Sequence, residues 1–181
     1  SYHPGWLRHI ALNQHSIDSF IPKTTLWTSK EHTQPKCFDA KKILVCQTSK
    51  KEWINTLLKK GIAKLQKTPE DINFLEKVSE TVGPIRSTNF GRIWDVKADV
   101  KLAGNADTNS TANTSLALSP HTDLPTRETP PGFQFLHCLK NETRGGKSTM
   151  TDGYAVVETL KADWPEDYQI LTTCNWIFFN R

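Results

Sequence analysis

The sequence lacks any apolar run of the length that a membrane span needs. Its 181 residues contain no stretch near the ~18 consecutive apolar residues of a transmembrane helix, so we expect no membrane partner. The N-terminal segment also lacks the basic-then-apolar order of a secretory signal. Residue 1 is Ser rather than Met, and we therefore expect the chain to begin inside a longer protein.

Cysteine is sparse, and its spacing argues against two common kinds of site. The four cysteines are Cys37, Cys46, Cys138 and Cys174. None belongs to a C-x-x-C pair, so we expect neither a zinc site nor a thioredoxin-type redox site. Nothing else in the sequence is typical of a secreted protein. We interpret the cysteines as reduced thiols and predict a cytoplasmic protein.

Charge of one sign is not concentrated anywhere in the chain. The net charge is +4, and the lysines and arginines are scattered rather than clustered with interleaved aromatic residues, as in a nucleic-acid-binding surface. We therefore expect no nucleic-acid partner. The sequence also has no internal repeat and no G-x-G-x-x-G, and the absence of the latter argues against a Rossmann fold.

Local signals predict helices and short strands in mixed order. Ser49 and Glu52 have the spacing of a capping box, Gly61 is a stop signal, and Asp152 is a candidate helix cap. The predicted helices cover 49–60, 68–82, a stretch after Asp152, and 165–171, and the predicted strands cover 62–65, 132–139 and 148–151. The order predicts an α+β protein, with 97–114 as a long loop of the kind that forms lids or binding loops.

The sharpest chemical signal is His121-Thr122-Asp123. In an extended segment, residues i and i+2 point to the same face, so the imidazole and the carboxylate can lie side by side. They would supply two of the three ligands of the two-His, one-carboxylate triad that holds non-haem Fe(II). A surface His with a nearby Asp is the alternative, because this spacing also arises by chance.

The residues that follow His121 carry a resemblance to a known family. The matching runs are His121–Pro125, Pro130–Cys138, Gly145–Thr149 and Thr151–Gly153, preceded by Gly91–Val96, Gly61–Leu65 and, more faintly, Trp6–Arg8. They resemble the Fe(II)/2-oxoglutarate dioxygenases of the gamma-butyrobetaine dioxygenase and trimethyllysine dioxygenase group, within the taurine-dioxygenase-like superfamily.

The resemblance implies a fold, a reaction and cofactors. The fold is a mainly β, double-stranded β-helix (jelly roll) with flanking helices, here incomplete. Residues 1–36 would be a lead-in segment after an absent N-terminal domain, and 37–181 the N-terminal and central part of the jelly roll. The family couples decarboxylation of 2-oxoglutarate at Fe(II) to hydroxylation of a small-molecule C–H bond, with ascorbate as a candidate reductant. We expect no zinc.

The resemblance also implies residue roles. His121 and Asp123 match the first two iron ligands. Ser148 lies where the family places a hydroxyl near 2-oxoglutarate, and Leu136 matches an apolar position of that pocket. An ordinary turn residue and an ordinary core residue are the respective alternatives.

The substrate-binding positions match less closely. Phe90 and Trp94 correspond to two walls of an aromatic cage for a trimethylammonium group, and core aromatic residues are the alternative. Asn113 and Leu124 stand where the family has aromatic residues. The substrate prediction therefore stays broad: a betaine or an amino-acid-like acid.

The chain departs from the family pattern after His137. No His follows it, whereas the family's second iron-binding His and its 2-oxoglutarate-binding Arg come late in the fold. We expect both to be missing from this chain. Two alternatives to a dioxygenase stay open: a non-catalytic, truncated jelly-roll scaffold that binds a partner or forms a homodimer through unpaired strands, and a cupin-like metal protein completed by a ligand from another subunit.

Overall fold

The computed structural model describes residues 23–30, 34–96, 117–127, 131–142 and 144–178. The chain divides into two units, the first formed by Ser1–Pro69 with Asp152–Pro165 and the second by Glu70–Thr151 with Glu166–Arg181. The sequence-based division at residue 36 stays a prediction. None of the helices in the described ranges is long and apolar enough to cross a membrane.

The first unit is built on a short parallel sheet and two consecutive helices. Strand β1, Cys37–Asp39, leads into helix α1, Ala40–Val45, then helix α2, Gln47–Lys60, and strand β2, Lys64–Gln66. β1 and β2 pair in parallel, with Phe38 opposite Leu65. Phe38, Ala40, Ile43 and Trp53 are buried, and they form the core of this unit.

The C-terminal end of α2 follows the sequence prediction, and its start does not. Gly61 adopts the left-handed conformation, with φ of 71°, and its N–H donates to the Leu57 carbonyl, which is the backbone geometry that glycine favours at a helix end. The helix begins at Gln47 rather than at Ser49, because the extended residue Cys46 already precedes the first turn. Ser49 hydrogen-bonds the Cys46 thiol instead, which lowers the pKa of that thiol.

A second capped helix lies late in the chain. Asp152 accepts hydrogen bonds from the backbone N–H groups of Tyr154 and Ala155, so it caps helix α4, Gly153–Asp163, as predicted. Its other carboxylate oxygen accepts from the backbone N–H of Trp27 at 3.0 Å. The Trp27 indole N–H donates to the carbonyl of Lys60 at 2.9 Å. Trp27 therefore joins the end of α2 to the start of α4. The last helix is α5, Pro165–Thr173.

The second unit contains helix α3, Ile72–Glu80. The sequence placed its start at Thr68; the helix begins later because the side chain of Asp71 accepts from the Asn73 N–H and acts as the cap. Phe74 and Val78 on α3 are buried, and the Phe74 ring lies 6.5 Å from the ring of His137. His137 is half-buried, and neither of its buried ring nitrogens has a hydrogen-bond partner.

The predicted strands at 132–139 and 148–151 are wrong for the structure described. Both segments are irregular, and Leu136 is 73% exposed. The physical reason is that a strand exists only when a neighbouring strand pairs with it, and in the described ranges the only sheet is the β1–β2 pair. The α+β class holds, but a mainly β core is not found in these ranges, since the small sheet is packed by helices.

Candidate metal centre

His121 and Asp123 lie side by side in the second unit. The His121 Nε2 atom is 3.1 Å from the Asp123 Oδ1 atom, and both side chains are about half exposed. The i and i+2 spacing thus brings the imidazole and the carboxylate together, as the sequence predicted. They occupy an irregular segment in which Leu124 has a positive φ of 54°, so the chain turns directly after the pair.

Two further contacts orient this pair. The His121 Nδ1 atom lies 2.7 Å from the Ser119 carbonyl oxygen. Because a carbonyl can only accept, Nδ1 carries a proton and donates it. On the other side, the amide nitrogen of Gln134 donates to the Asp123 Oδ2 atom at 2.6 Å. The Nε2 and Oδ1 atoms are therefore the ones left to face each other.

The facing atoms require a positive charge between them. With its proton on Nδ1, a neutral His121 presents an Nε2 lone pair to the carboxylate oxygen, and two lone pairs at 3.1 Å repel each other. A proton on Nε2 or a shared cation removes this repulsion. The hydrogen bond to the Ser119 carbonyl is the main cause of a raised pKa of His121; desolvation opposes it, and the negative charge of Asp123 adds to the increase.

The same geometry fits a metal ion. Octahedral bonds of about 2.1 Å place neighbouring ligand atoms about 3 Å apart, which matches the distance of 3.1 Å between Nε2 and Oδ1. A metal-bound His usually donates its other ring N–H to a backbone carbonyl or a carboxylate, and His121 does so to Ser119. No third His, Cys, Asp or Glu joins the pair in the ranges that the structure describes.

The predicted co-substrate residues are accessible. Ser148 is exposed, and Leu136 is 73% exposed, so the simple core-packing alternative does not describe Leu136. Both belong to the second unit, like the His121–Asp123 pair. Their roles stay predictions, and Asn113 lies outside the described residues.

Phe90 and Trp94 form a pair, but the two rings do not stand apart as cage walls. Their centroids are 4.3 Å apart and the planes are inclined by 12°, which is a parallel stack with no room for a cation between the rings. Each ring is 37% exposed, so the outer faces stay accessible. The segment between them is held by Arg92, which pairs with Glu76 and Glu80 on α3.

Sequence reasoning missed the two groups that orient the pair. The Ser119 contact uses a backbone carbonyl, which no side-chain pattern reveals. Gln134 lies within the matching run Pro130–Cys138, but a lone Gln carries no signal of its partner. The only available clue was the alternation that put Gln134 and Leu136 on one face of a predicted strand.

Known proteins are similar to most of this chain. The family model for taurine catabolism dioxygenase TauD, TfdA family, matches residues 30–181. The chain is 34% identical to a gamma-butyrobetaine dioxygenase of Pseudomonas sp. (strain AK-1), over 94% of this chain and 43% of that protein. It is 32% identical to the human gamma-butyrobetaine dioxygenase, over 85% of this chain and 38% of the relative.

A second kind of relative matches the same region. The human mitochondrial trimethyllysine dioxygenase is 31% identical over 84% of this chain and 35% of its own length. The chain thus spans less than half the length of these curated relatives. The resemblance drawn from the runs around His121 is confirmed, and the chain belongs to the taurine catabolism dioxygenase TauD, TfdA family.

Proposed function

We propose that this chain is part of an Fe(II)- and 2-oxoglutarate-dependent dioxygenase that hydroxylates a C–H bond of a small molecule. The observation that carries the proposal is the gap of 3.1 Å between His121 Nε2 and Asp123 Oδ1, which has the width of a shared metal site. When bound, Fe(II) supplies the oxidative chemistry that links 2-oxoglutarate decarboxylation to hydroxylation.

In this proposal the two ligands have complementary tasks. His121 supplies a neutral nitrogen, and the Ser119 carbonyl fixes the tautomer that leaves Nε2 unprotonated for the metal. Asp123 supplies a negative oxygen that offsets part of the metal's charge. The metal binds the neutral imidazole, so a protonated His121 must release its proton before it can act as a ligand.

Two further sets of residues in this proposal bind 2-oxoglutarate and the substrate. The Ser148 hydroxyl donates to a carboxylate of 2-oxoglutarate, and Leu136 covers its methylene groups. Exposure of both side chains is compatible with ligand access. The outer faces of the Phe90–Trp94 stack offer π-surface to a cationic substrate. The names of the relatives support a betaine or an amino-acid-like acid.

The proposal extends to the rest of the protein. The remaining His ligand, the 2-oxoglutarate-binding Arg and the remaining strands of a jelly roll would come from outside this chain, and ascorbate would serve as a reductant. The enzyme would be cytoplasmic and would act on a free small molecule, without a nucleic-acid or membrane partner and without zinc. The chain covers only 43% and 38% of two gamma-butyrobetaine dioxygenases, which supports placing these groups outside the chain.

An anaerobic titration tests the metal site on the protein extended to the length of its relatives, so that the remaining His and the 2-oxoglutarate-binding Arg are present. Fe(II) and 2-oxoglutarate are added together, and a visible metal-to-ligand charge-transfer band is recorded. We expect the band in the wild-type extended protein, loss of it in Asp123→Asn, and no change in the control Asp163→Asn, which alters an exposed carboxylate at the end of α4. Absence of the band in the wild type, or its survival in Asp123→Asn, would refute the proposal.

A second candidate function is a non-catalytic scaffold that forms a homodimer. The observation that favours it is the exposed apolar surface of α4, where Tyr154 and Val157, three positions apart on one helix face, are 74% and 43% exposed. Apolar side chains grouped in this way mark association surfaces. Sedimentation of the wild-type chain and of Tyr154→Ser tests it. A dimer that dissociates in the variant supports the scaffold, and a monomeric wild type removes it.

A further inference from the structure

We propose that Gln134 is a positioning residue that makes Asp123 a ligand through one oxygen only. The inference rests on the proposed function, because it concerns the same metal site. Its geometric basis is independent of that function: the Gln134 amide donates to Oδ2 at 2.6 Å, and the opposite oxygen, Oδ1, is the one that faces His121.

The contact determines how the carboxylate can turn. A free Asp side chain rotates about the bond that carries its carboxyl group, and each rotation exchanges the oxygen that faces His121. Gln134 reaches Asp123 from a segment 11 positions further along the chain, so it anchors the carboxylate from outside its own loop. A hydrogen bond to an ionised acceptor is also stronger than one between neutral groups.

The consequence concerns the number of coordination positions. If both oxygens of Asp123 bound the metal, the carboxylate would occupy two positions rather than one. The N–H of Gln134 engages Oδ2 and keeps it from the metal. One more position then stays open for exogenous ligands, which a dioxygenase site needs for a co-substrate and O2.

The experiment uses Co(II) as a probe, added to the whole chain, with Gln134→Met as the test variant. Met has nearly the same length as Gln but no donor. The control is Gln169→Met, an exposed position on α5 in the same unit. The first measurement is Co(II) affinity, which we expect Gln134→Met to lower about tenfold or more, as is typical when a group that orients a metal ligand is lost. Gln169→Met should equal the wild type.

The second measurement detects the binding mode of the carboxylate. Infrared difference spectra, Co(II)-bound minus metal-free, report the separation between the symmetric and antisymmetric carboxylate stretches, which narrows when both oxygens bind. We expect the separation between the two stretches to narrow in Gln134→Met and to stay unchanged in the wild type and in Gln169→Met. A merely structural effect of the substitution would lower the affinity without this spectral change, and that result would overturn the positioning role.

A third variant separates the inference from the proposal on which it rests. If His121→Ala loses Co(II) while Gln134→Met matches the wild type in affinity and spectrum, the positioning role of Gln134 is wrong and the metal site stands. If His121→Ala binds Co(II) as tightly as the wild type, the metal site is wrong, and the role of Gln134 falls with it.

Discussion

Asp152 has two structural tasks, and substitution can separate them. One carboxylate oxygen caps α4 through the N–H groups of Tyr154 and Ala155, and the other accepts from the Trp27 N–H. Asp152→Ala removes both. Loss of the cap costs about 1 kcal/mol, and loss of a charged acceptor for a backbone N–H costs about 1.5–3 kcal/mol. We therefore expect the free energy of unfolding to fall by about 3 kcal/mol.

Asp152→Asn is the discriminating variant. Its single amide oxygen can serve the cap or the Trp27 N–H but not both, because the amide nitrogen is only a donor. We expect a loss of about 2 kcal/mol, intermediate between the wild type and Asp152→Ala. Urea unfolding followed by far-ultraviolet circular dichroism measures both variants. Asp163→Ala is the matched control, since this carboxylate at the opposite end of α4 opposes the helix dipole and its removal should be nearly neutral.

Amide exchange at Trp27 is the local check. The exchange rate of this single N–H should rise in Asp152→Ala and Asp152→Asn and should not change in the Asp163→Ala control. Equal stability of Asp152→Ala and Asp163→Ala, together with unchanged exchange at Trp27, would refute the dual role of this carboxylate.

Four further predictions concern the core, a helix end and the metal pair. Trp53→Ala should lower the free energy of unfolding by about 3–5 kcal/mol, because Trp53 is 1% exposed; a smaller loss in urea unfolding than in Asp152→Asn would contradict this. Gly61→Ala should cost about 1–2 kcal/mol by the same assay, since its φ is 71° with open space around it, and an unchanged midpoint would contradict it. Protonated His121 should stabilise the fold below pH 6.5, which is the ordinary pKa of histidine. This contribution should be lost as the pH rises through the raised pKa of His121 in the folded chain. A proton NMR titration that gives a His121 pKa of 6.5 or lower would contradict this prediction. Co(II) affinity should fall about tenfold per pH unit below that raised pKa, because the metal binds neutral imidazole.

Helix positions were largely readable from the sequence because their signals are local. Gly61 ends α2 and Asp152 starts α4 through contacts with residues fewer than five positions away. The predicted helix starts were wrong where two local signals competed. Ser49 had the spacing of a cap but interacts with the Cys46 thiol. Asp71 caps α3, three residues after the predicted start at Thr68.

The sequence did not predict the contacts between residues that are far apart in the chain. The strands predicted at 132–139 and 148–151 required partners that the sequence pattern cannot specify. The same applies to the site. The spacing of His121 and Asp123 predicted their proximity, whereas the contact from Gln134 to Asp123 and that from Trp27 to Asp152 join distant positions through polar groups without periodicity.

The arrangement of β1, α1, α2 and β2 has a kinetic consequence. Phe38, Ile43 and Trp53 are all buried within a stretch of only 30 residues, from Cys37 to Gln66. Short sequence separations speed the search for native contacts, since closing small loops sacrifices little chain entropy. We expect this stretch to nucleate folding, so that its apolar side chains are withdrawn from solvent while the remainder of the polypeptide is still being synthesised.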